Sequence, residues 1–341
     1  MEGLLVTHPP NIFYLSGFTG SSGVLLVEAE RATLFTDNRY TVQAKDEVCG
    51  ARVEITGKPG LVAAGMRLAS LRGRVRAGFA PEQLTMGQWE AVGKAAGKRV
   101  RWTAVKGAVE SLRGVKDDGE IAVMREAAIL AGRVWESVLK LVKPGVTEIE
   151  LAAEIEYGMR MGGATGPAFD TIVASGPRAA LPHGRASAKP LEKNELVVFD
   201  LGAILRGYCS DITRTVYVGR APRKIKRWYA AVLEAQEAAR AAVKPGVTAG
   251  EVDAAARGVL DSRGLGRRFT HSTGHGLGIE VHEAPRLGRG VESRLATGNV
   301  VTIEPGVYIE GTGGIRIEDD IWVRAGGAET LSQARRELLE L

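Results

Sequence analysis

The stretch at residues 195–216 reads ELVVFDLGAILRGYCSDITRTV and predicts a β-hairpin. An apolar strand ends at Asp200, a turn with Arg-Gly follows, and the chain returns past Asp211, which is the pattern of two paired strands. Folding this stretch about residues 205–206 sets Asp200 opposite Asp211. Cross-strand neighbours have Cβ atoms about 4.5–5.5 Å apart. We therefore predict that this hairpin presents two carboxylates on one face.

A second stretch, residues 299–319, has the same design and reads NVVTIEPGVYIEGTGGIRIED. Its apolar strand ends at Glu304, a glycine-rich turn follows, and the returning strand ends at Glu318. Folding about residue 311 sets Glu304 opposite Glu318. The second hairpin therefore also places two carboxylates side by side.

An internal repeat connects the two hairpins. KPGVT occurs at 143–147 and again at 244–248, and each copy separates two segments of helical composition. Asp200 and Glu304, which both stand in an acid-x-Gly sequence after an apolar strand, are shifted by a similar distance. Two features at nearly the same offset predict two pseudo-equivalent halves, each with helices followed by strands.

The length of 341 residues favours two domains, and we place the boundary near residue 112. Residues 1–112 are predicted to form an α/β domain and residues 113–341 an α+β domain. Asp117 and Glu120 have the spacing of a capping box, so a long helix should begin there. In the first domain we expect strands near 4–7, 23–28 and 32–36 and helices near 60–71 and 81–97.

Composition excludes several classes of protein. With 45% hydrophobic and 25% charged residues the chain is globular, and no apolar run approaches the roughly 18 residues of a membrane span. We expect no signal peptide, no membrane association and, with only Cys49 and Cys209, a cytoplasmic location. The net charge of +5 is mild, and the basic stretch Arg220 to Arg227 is interpreted as a solvated helix start. No nucleic-acid partner is expected.

The four carboxylates of the two hairpins point to metal chemistry. Carboxylates brought together in a protein interior repel one another and take up protons unless cations lie between them. His275, in the glycine-rich segment STGHGLG, supplies a candidate imidazole ligand. Two carboxylate pairs and one imidazole suit a centre of two divalent ions, and this oxygen-rich set suits Mn, Co or Zn.

The order of these residues resembles the metallopeptidases of the pita-bread fold, which include prolidases, aminopeptidase P and methionine aminopeptidase. The resemblance covers about 230 residues and extends to SGPRAALPHGRAS (175–187), HSTGHGLGIEVHEAPR (271–286) and GIRIED (314–319). It implies that two divalent ions are bound by five ligands, namely Asp200, Asp211, His275, Glu304 and Glu318. Asp211 would chelate one ion and His275 the other, and the remaining three would hold or bridge the pair.

The resemblance also implies roles for residues around the metals. Glu304 would be the catalytic acid/base, and His183 and His282, which occupy corresponding places in the two halves, would contact the substrate carbonyl and transfer protons. Further expected substrate contacts are Arg286, Arg316 and Tyr208. The alternative expectation for Arg316 is that it forms a salt bridge behind the metal ligands. His271 is expected to support a metal ligand.

The first domain narrows the choice within this family. NIFYLSGFTGSSGVLLV (11–27) and ATLFTDNRYTVQA (32–44) are similar to the N-terminal domain of the prolidase, aminopeptidase P and creatinase branch, although the helix that usually precedes its first strand has no counterpart here. The resemblance implies a homodimeric Xaa-Pro dipeptidase that acts on small peptides with proline at the second position. The alternatives are an Xaa-Pro aminopeptidase and a non-catalytic binding module of the same fold. A metal-independent creatinase-type hydrolase is disfavoured, because all five ligands are present.

Overall fold

The computed structural model describes all residues from Met1 to Leu341. The chain divides into two compact units, Met1–Leu112 and Arg113–Leu341.

The first unit is built on a six-stranded mixed sheet with strand order β4-β3-β2-β1-β5-β6. The strands are β1 (Gly3–Val6), β2 (Val24–Glu28), β3 (Ala32–Thr36), β4 (Arg52–Ile55), β5 (Val75–Phe79) and β6 (Val100–Ala104). The first three lie where the sequence predicts them. Strands β4, β5 and β6 were not predicted. The residues of β4, at one edge of the sheet, are largely exposed and carry no apolar run.

Five helices accompany this sheet. They are α1 (Pro9–Ser16), α2 (Thr41–Glu47), α3 (Gly60–Ser70), α4 (Met86–Ala96) and α5 (Ala108–Arg113). Helix α4 begins later than the expected residue 81 because Thr85 caps it: the Thr85 hydroxyl accepts the Gln88 N–H, and the Gln88 side chain accepts the Thr85 N–H.

The second unit contains four α-helices, namely α6 (Asp118–Val138), α7 (Glu148–Met161), α8 (Arg223–Ala242) and α9 (Ala249–Ser262). The predicted capping box at the start of α6 is present: the Asp117 carboxylate accepts the Glu120 N–H at 2.8 Å, and the Glu120 carboxylate accepts the Asp117 N–H at 2.9 Å. None of the helices in the chain combines the length and the apolar character that a membrane span requires.

The strands of the second unit form short sheets in which nearly all neighbours are antiparallel. Their orders are β20-β12-β9-β8, β14-β13-β15-β18-β19, β11-β10-β7 and β16-β17. The strands up to the middle of the unit are β7 (Gly166–Pro167), β8 (Ile172–Ser175), β9 (Glu195–Leu201), β10 (Ala203–Leu205), β11 (Tyr208–Cys209) and β12 (Ile212–Val218). The remaining strands are β13 (Gly274–Gly276), β14 (Glu283–Leu287), β15 (Val300–Ile303), β16 (Gly306–Ile309), β17 (Gly313–Arg316), β18 (Asp319–Arg324), β19 (Gly327–Thr330) and β20 (Leu339–Glu340).

The two expected halves are visible in how helices pack on sheets. Apolar residues of α6 and α7 form one core with β8, β9 and β12, and those of α8 and α9 form another with β15 to β18. Each KPGVT copy lies between the two helices of a pair. Its last residue, Thr147 or Thr248, caps the second helix through a complete capping box with Glu150 or Glu251.

The register of the first hairpin differs from the prediction. Asp200 lies opposite Thr213 rather than Asp211. The turn explains the difference, because Arg206 and Gly207 have φ angles of 48° and 84° and form its two central residues. Two positive φ angles match the type I′ turn that suits tight hairpins, and this turn sets the register two residues away from the predicted pair. A shift of two residues keeps Asp211 on the same face of the sheet as Asp200.

The second hairpin has the predicted register. Ile303 lies opposite Asp319 in the β15–β18 ladder, and Gly306 lies opposite Arg316 in the β16–β17 ladder. Both ladders share one register, so Glu304 and Glu318 occupy facing positions in the gap between them.

We expect the repeat to show as equal stability effects in the two halves. Thr147→Ala and Thr248→Ala each remove a helix cap and should each lower the free energy of unfolding by about 1 kcal/mol, measured by urea denaturation. Thr→Ser at either position keeps the capping oxygen and serves as the control. A loss as large for serine as for alanine would show that the cap is not the cause.

Candidate metal centre

A cavity of about 670 Å³ in the second unit holds most of the predicted site. Its lining includes all five predicted metal ligands, Asp200, Asp211, His275, Glu304 and Glu318. It also includes His183, His271, His282, Arg286 and Arg316. Residues from both halves of the repeat therefore meet around one space.

Three of the predicted ligands form a compact donor cluster. One ligand atom each from Asp211, His275 and Glu318 lies within 4.8 Å of the other two. Asp211 and Glu318 are buried, and His275 is partly buried. Two carboxylates and an imidazole at this spacing have the composition of a binding site for a divalent transition metal.

His275 is oriented by the backbone carbonyl of the next residue, Gly276. Its Nδ1 lies 3.0 Å from the carbonyl oxygen of Gly276, which makes Nδ1 the protonated nitrogen. The other nitrogen, Nε2, lies 3.8 Å from Asp211 Oδ2 and 3.7 Å from Glu304 Oε1. Burial lowers the pKa of His275 to about 4, so the ring is neutral near pH 7 and offers the Nε2 lone pair to a metal.

The carboxylates of this site are an unusual group in a protein interior. Burial raises the pKa of Asp211 and of Glu318 well above their ordinary values, and the neighbouring carboxylates raise both further. Burial also raises the pKa of Glu304, to about 8. One oxygen of Asp200 and one of Asp211 are buried without a hydrogen-bond partner. Buried polar atoms are nearly always paired, so these oxygens fit donors to an added cation.

Arg316 is the only cationic side chain seen to pair with one of the five ligands. Its Nη2 donates to Asp200 Oδ2, and its Nε donates to Thr213 Oγ1 at 3.0 Å. Nη1 donates to the Tyr308 hydroxyl at 2.9 Å, and that hydroxyl lies 2.8 Å from His271 Nε2. The residue is 3% exposed. The guanidinium thus holds Asp200 in a salt bridge while one edge faces the cavity.

His271 lies beside Glu304. Its Nδ1 is 2.8 Å from the carbonyl oxygen of Ser272 and 3.9 Å from Glu304 Oε2. Burial and the nearby charge of Arg316 lower the pKa of His271 to about 4. A neutral ring there donates from Nδ1 and accepts from Tyr308 at Nε2.

The remaining predicted contacts are on the solvent side of the cavity. His183, His282 and Arg286 are exposed and line it. The His282 ring packs edge-on against the His275 ring, with centroids 4.4 Å apart. These three side chains are accessible to a molecule that enters the cavity.

Tyr208 is not among the residues that line the cavity, contrary to the expectation. Its ring packs beside an apolar cluster that contains Ile121 and Met124, and its hydroxyl donates to Glu120 at 2.8 Å. The position after the type I′ turn directs this side chain toward the start of α6. Proximity in sequence to Asp211 was a misleading signal.

Several residues that line the cavity or contact its lining were missed by the sequence interpretation. Phe169 and Ile172 supply apolar surface, and Glu283 supplies a carboxylate. Tyr308 links Arg316 to His271. Signals were available for two of them, because Glu283 is next to His282 and Tyr308 lies on the hairpin strand that follows Glu304.

Comparisons with known proteins agree with this geometry. Residues 122–325 match the model of metallopeptidase family M24, and residues 1–115 match the creatinase/prolidase N-terminal domain. An Xaa-Pro dipeptidase of Pyrococcus horikoshii is 38% identical over 99% of this chain and 95% of its own length.

Two solved structures are also similar. An Xaa-Pro dipeptidase from Bacillus anthracis has a TM-score of 0.96 at 42% identity and covers 100% of this chain and 95% of the other. An X-Pro aminopeptidase from Thermotoga maritima has a TM-score of 0.94 at 37% identity and covers 100% and 98%.

The family model spans more than half of the chain, and the relatives match it from end to end. The pita-bread unit, with its carboxylate hairpins and its histidine, is therefore that of a peptidase, and the chain belongs to metallopeptidase family M24.

Proposed function

We propose that this metallopeptidase hydrolyses Xaa-Pro dipeptides, that is, that it is a prolidase. The observation that carries the proposal is the donor cluster of Asp211, His275 and Glu318 within 4.8 Å, on the wall of a cavity that also carries exposed histidines. The relatives from Pyrococcus horikoshii and Bacillus anthracis are described as Xaa-Pro dipeptidases, which supports the same substrate class.

The charge of the site supports two divalent ions as the cofactor. The four carboxylates of the two hairpins line the cavity, and Arg316 is the one arginine or lysine that pairs with any of them. The three remaining negative charges exceed what one divalent ion neutralises, which supports two ions, with Mn, Co or Zn suited to these oxygen and nitrogen donors. We propose that Asp211 holds one ion and His275 the other, while Asp200, Glu304 and Glu318 hold or bridge the pair. Such ions lower the pKa of water toward neutrality and polarise a carbonyl.

Glu304 is proposed as the group that moves the proton. Its carboxyl lies within 4 Å of ring nitrogens of both His271 and His275, beside the other proposed metal ligands. A carboxylate next to the attacking water can accept a proton and give it back, which is the requirement for general acid–base catalysis. In hydrolysis of an Xaa-Pro bond the proton goes from the attacking water to Glu304 and then to the proline nitrogen. That nitrogen leaves as a secondary amine and therefore requires the proton.

His183 and His282 are proposed to bind the substrate carbonyl. Both line the cavity and are exposed, so a bound peptide reaches them. An N–H donor aimed at the carbonyl oxygen stabilises negative charge as it develops there, and one donor of this kind contributes roughly 10²–10³ in rate.

Arg286 bears on the choice between dipeptidase and aminopeptidase. Its exposed guanidinium lines the cavity and can pair with the carboxylate of a dipeptide, whose geometry it matches. An aminopeptidase acts on longer peptides, and these substrates have no free carboxylate on the proline. The likeness to the Thermotoga maritima X-Pro aminopeptidase keeps that activity as the second candidate.

We also propose the assembly and location that the family resemblance carries: a homodimer in the cytoplasm, with residues 1–112 as the creatinase/prolidase-type domain and 113–341 as the catalytic domain. Both cysteines are free in the structure, and a reducing compartment suits free thiols.

The primary test is hydrolysis of Met-Pro and of a longer Met-Pro-x-x peptide by chelator-stripped enzyme to which Mn, Co or Zn is returned. We expect metal-dependent release of proline from the dipeptide alone. Cleavage of the longer peptide would assign the aminopeptidase activity instead. Failure of the folded, metal-loaded enzyme on both peptides would refute the Xaa-Pro proposal.

Substitution of Arg286 tests the carboxylate contact. Arg286→Met should raise KM for Met-Pro about tenfold or more and leave kcat nearly unchanged, because a charge-assisted hydrogen bond contributes roughly 1.5–3 kcal/mol. The matched control is Arg289→Met, since Arg289 is also exposed but does not line the cavity. Equal KM values for the two variants would argue against the contact.

The pKa shifts predict how pH affects the stability of the metal-free protein. Glu304 has a folded-state pKa of about 8, above its unfolded value, so the folded state holds its proton more tightly. Stability therefore falls as pH rises from about 6.5 to about 8. Below this range the lowered pKa values of His271 and His275 act in the opposite direction, because those rings charge more readily when unfolded.

Melting temperatures of the metal-free protein between pH 6.5 and 8 would measure this slope. Glu304→Gln cannot titrate and should reduce the slope, and the raised pKa values of Asp211 and Glu318 account for the rest. Added Mn should raise the melting temperature most at the alkaline end, where the ligands are deprotonated. A melting temperature that increased with pH across this window would contradict the assignment.

A further inference from the structure

Glu283 is held by a group of buried charges that the proposed mechanism does not use. Its Oε1 lies 2.5 Å from Arg113 Nη2, and its Oε2 lies 3.0 Å from Lys116 Nζ. The same Oε1 accepts the backbone N–H of Glu280 at 3.2 Å, and Glu280 itself pairs with Arg113 at 2.8 Å. We refer to Arg113, Lys116, Glu280 and Glu283 as the Glu283 clamp.

Three of the four side chains of the clamp are almost entirely removed from water, whereas that of Glu280 is 37% exposed. The side chains of Arg113, Lys116 and Glu283 are 2%, 1% and 7% exposed. Ion pairs in such surroundings depend on every partner, because removal of one leaves an uncompensated buried charge. The clamp therefore fixes the position of the Glu283 carboxylate and, through the Glu280 N–H, the shape of residues 280–283.

This fixed segment carries His282. Glu283 begins strand β14 and pairs with Gly276, the residue that follows His275. A side chain at Gly278 would collide with the Glu283 carboxylate, since a Cβ there would lie 2.6 Å from Oε2. The Glu283 carboxylate thus lies against the backbone between the two histidines, at Gly278 and at the Glu280 N–H. In contrast, His282 is exposed, and its ring packs edge-on against that of His275.

We propose that Glu283 is a positioning residue that acts through His282. The clamp sets the backbone from which the His282 ring reaches over His275 and faces the cavity, so loss of the clamp leaves the metal ligands in place but frees the ring. This inference rests on the proposed peptidase function for its kinetic test and on the structure alone for its spectroscopic test.

The kinetic test is a double-mutant cycle between Glu283→Gln and His282→Ala, with Met-Pro as substrate and saturating Mn. Glu283→Gln should lower kcat about tenfold or more in the parent and change it less than about twofold in the His282→Ala background. Affinity for Mn should be unaffected in both. An equal fall of kcat in both backgrounds would show that Glu283 does not act through His282.

A matched variant separates positioning from loss of stability. Glu195 is also buried and pairs with Lys189 at 2.9 Å, but it does not line the cavity. Glu195→Gln should lower the melting temperature as Glu283→Gln does and leave kcat unchanged. In Lys116→Met/Glu283→Gln one stranded cation is removed, so stability should recover while kcat stays low. Recovery of kcat together with stability would overturn the proposal.

The spectroscopic test does not depend on activity. The chain has five histidines, so a ¹³Cε1-histidine label gives a small set of signals in the zinc-loaded protein, and His282→Ala identifies the one from His282. In Glu283→Gln that signal should broaden or shift while those of His8 and His183 stay in place. An unchanged His282 signal would refute positioning even in an active enzyme. If Glu283→Gln shows the expected change but the parent enzyme hydrolyses no Xaa-Pro peptide, the proposed function alone fails.

Discussion

Mutual repulsion of buried carboxylates is the constraint on which this site depends. Four acidic side chains from two hairpins face one cavity, and burial with neighbouring negative charge raises the pKa of Asp211 and Glu318. Arg316 neutralises one of them, Asp200, and one guanidinium cannot do more. The fold keeps the others deprotonated only when cations join them. The same arrangement that is unfavourable in the empty protein therefore becomes a metal centre, and metal affinity must rise as protons leave.

The repeat explains how acids from distant parts of the chain reach one place. Each half packs two helices on a sheet and contributes one hairpin with two carboxylates. The halves are joined at strand β12, where Thr213 donates to Glu318 at 2.6 Å and Thr215 donates to the Arg316 carbonyl at 2.9 Å. These threonines lie opposite or near Asp200 in the first hairpin. Hydrogen bonds between the halves thus fix the distance between the two carboxylate pairs, and neither half holds the full set alone.

Much of this arrangement follows from sequence, and the exceptions have physical causes. The register of the second hairpin was predictable because its turn is centred on residue 311, between strands of equal length. The first was displaced by two residues because the φ angles of Arg206 and Gly207 are decided by local turn geometry, which the apolar pattern does not report. Tyr208 was assigned to the cavity from proximity, whereas it packs against the apolar cluster that contains Met124 and donates to Glu120. The pairing of long-range partners such as Lys116 and Glu283 carries no sequence signal, because it exists only after folding.

Two different solutions to burying charge stand side by side in this unit. Around the metal ligands negative charge exceeds positive charge, and the excess is what binds a cation. In the Glu283 clamp two cations face two carboxylates, so the group is balanced without a ligand and gains no affinity for one. A balanced group is rigid because each member depends on the others, whereas the unbalanced one is free to exchange protons and metal. The rigid group lies one residue from His282 and therefore fixes one side of the metal centre. The acidic residues of the centre can then exchange protons and metal without a change in their positions.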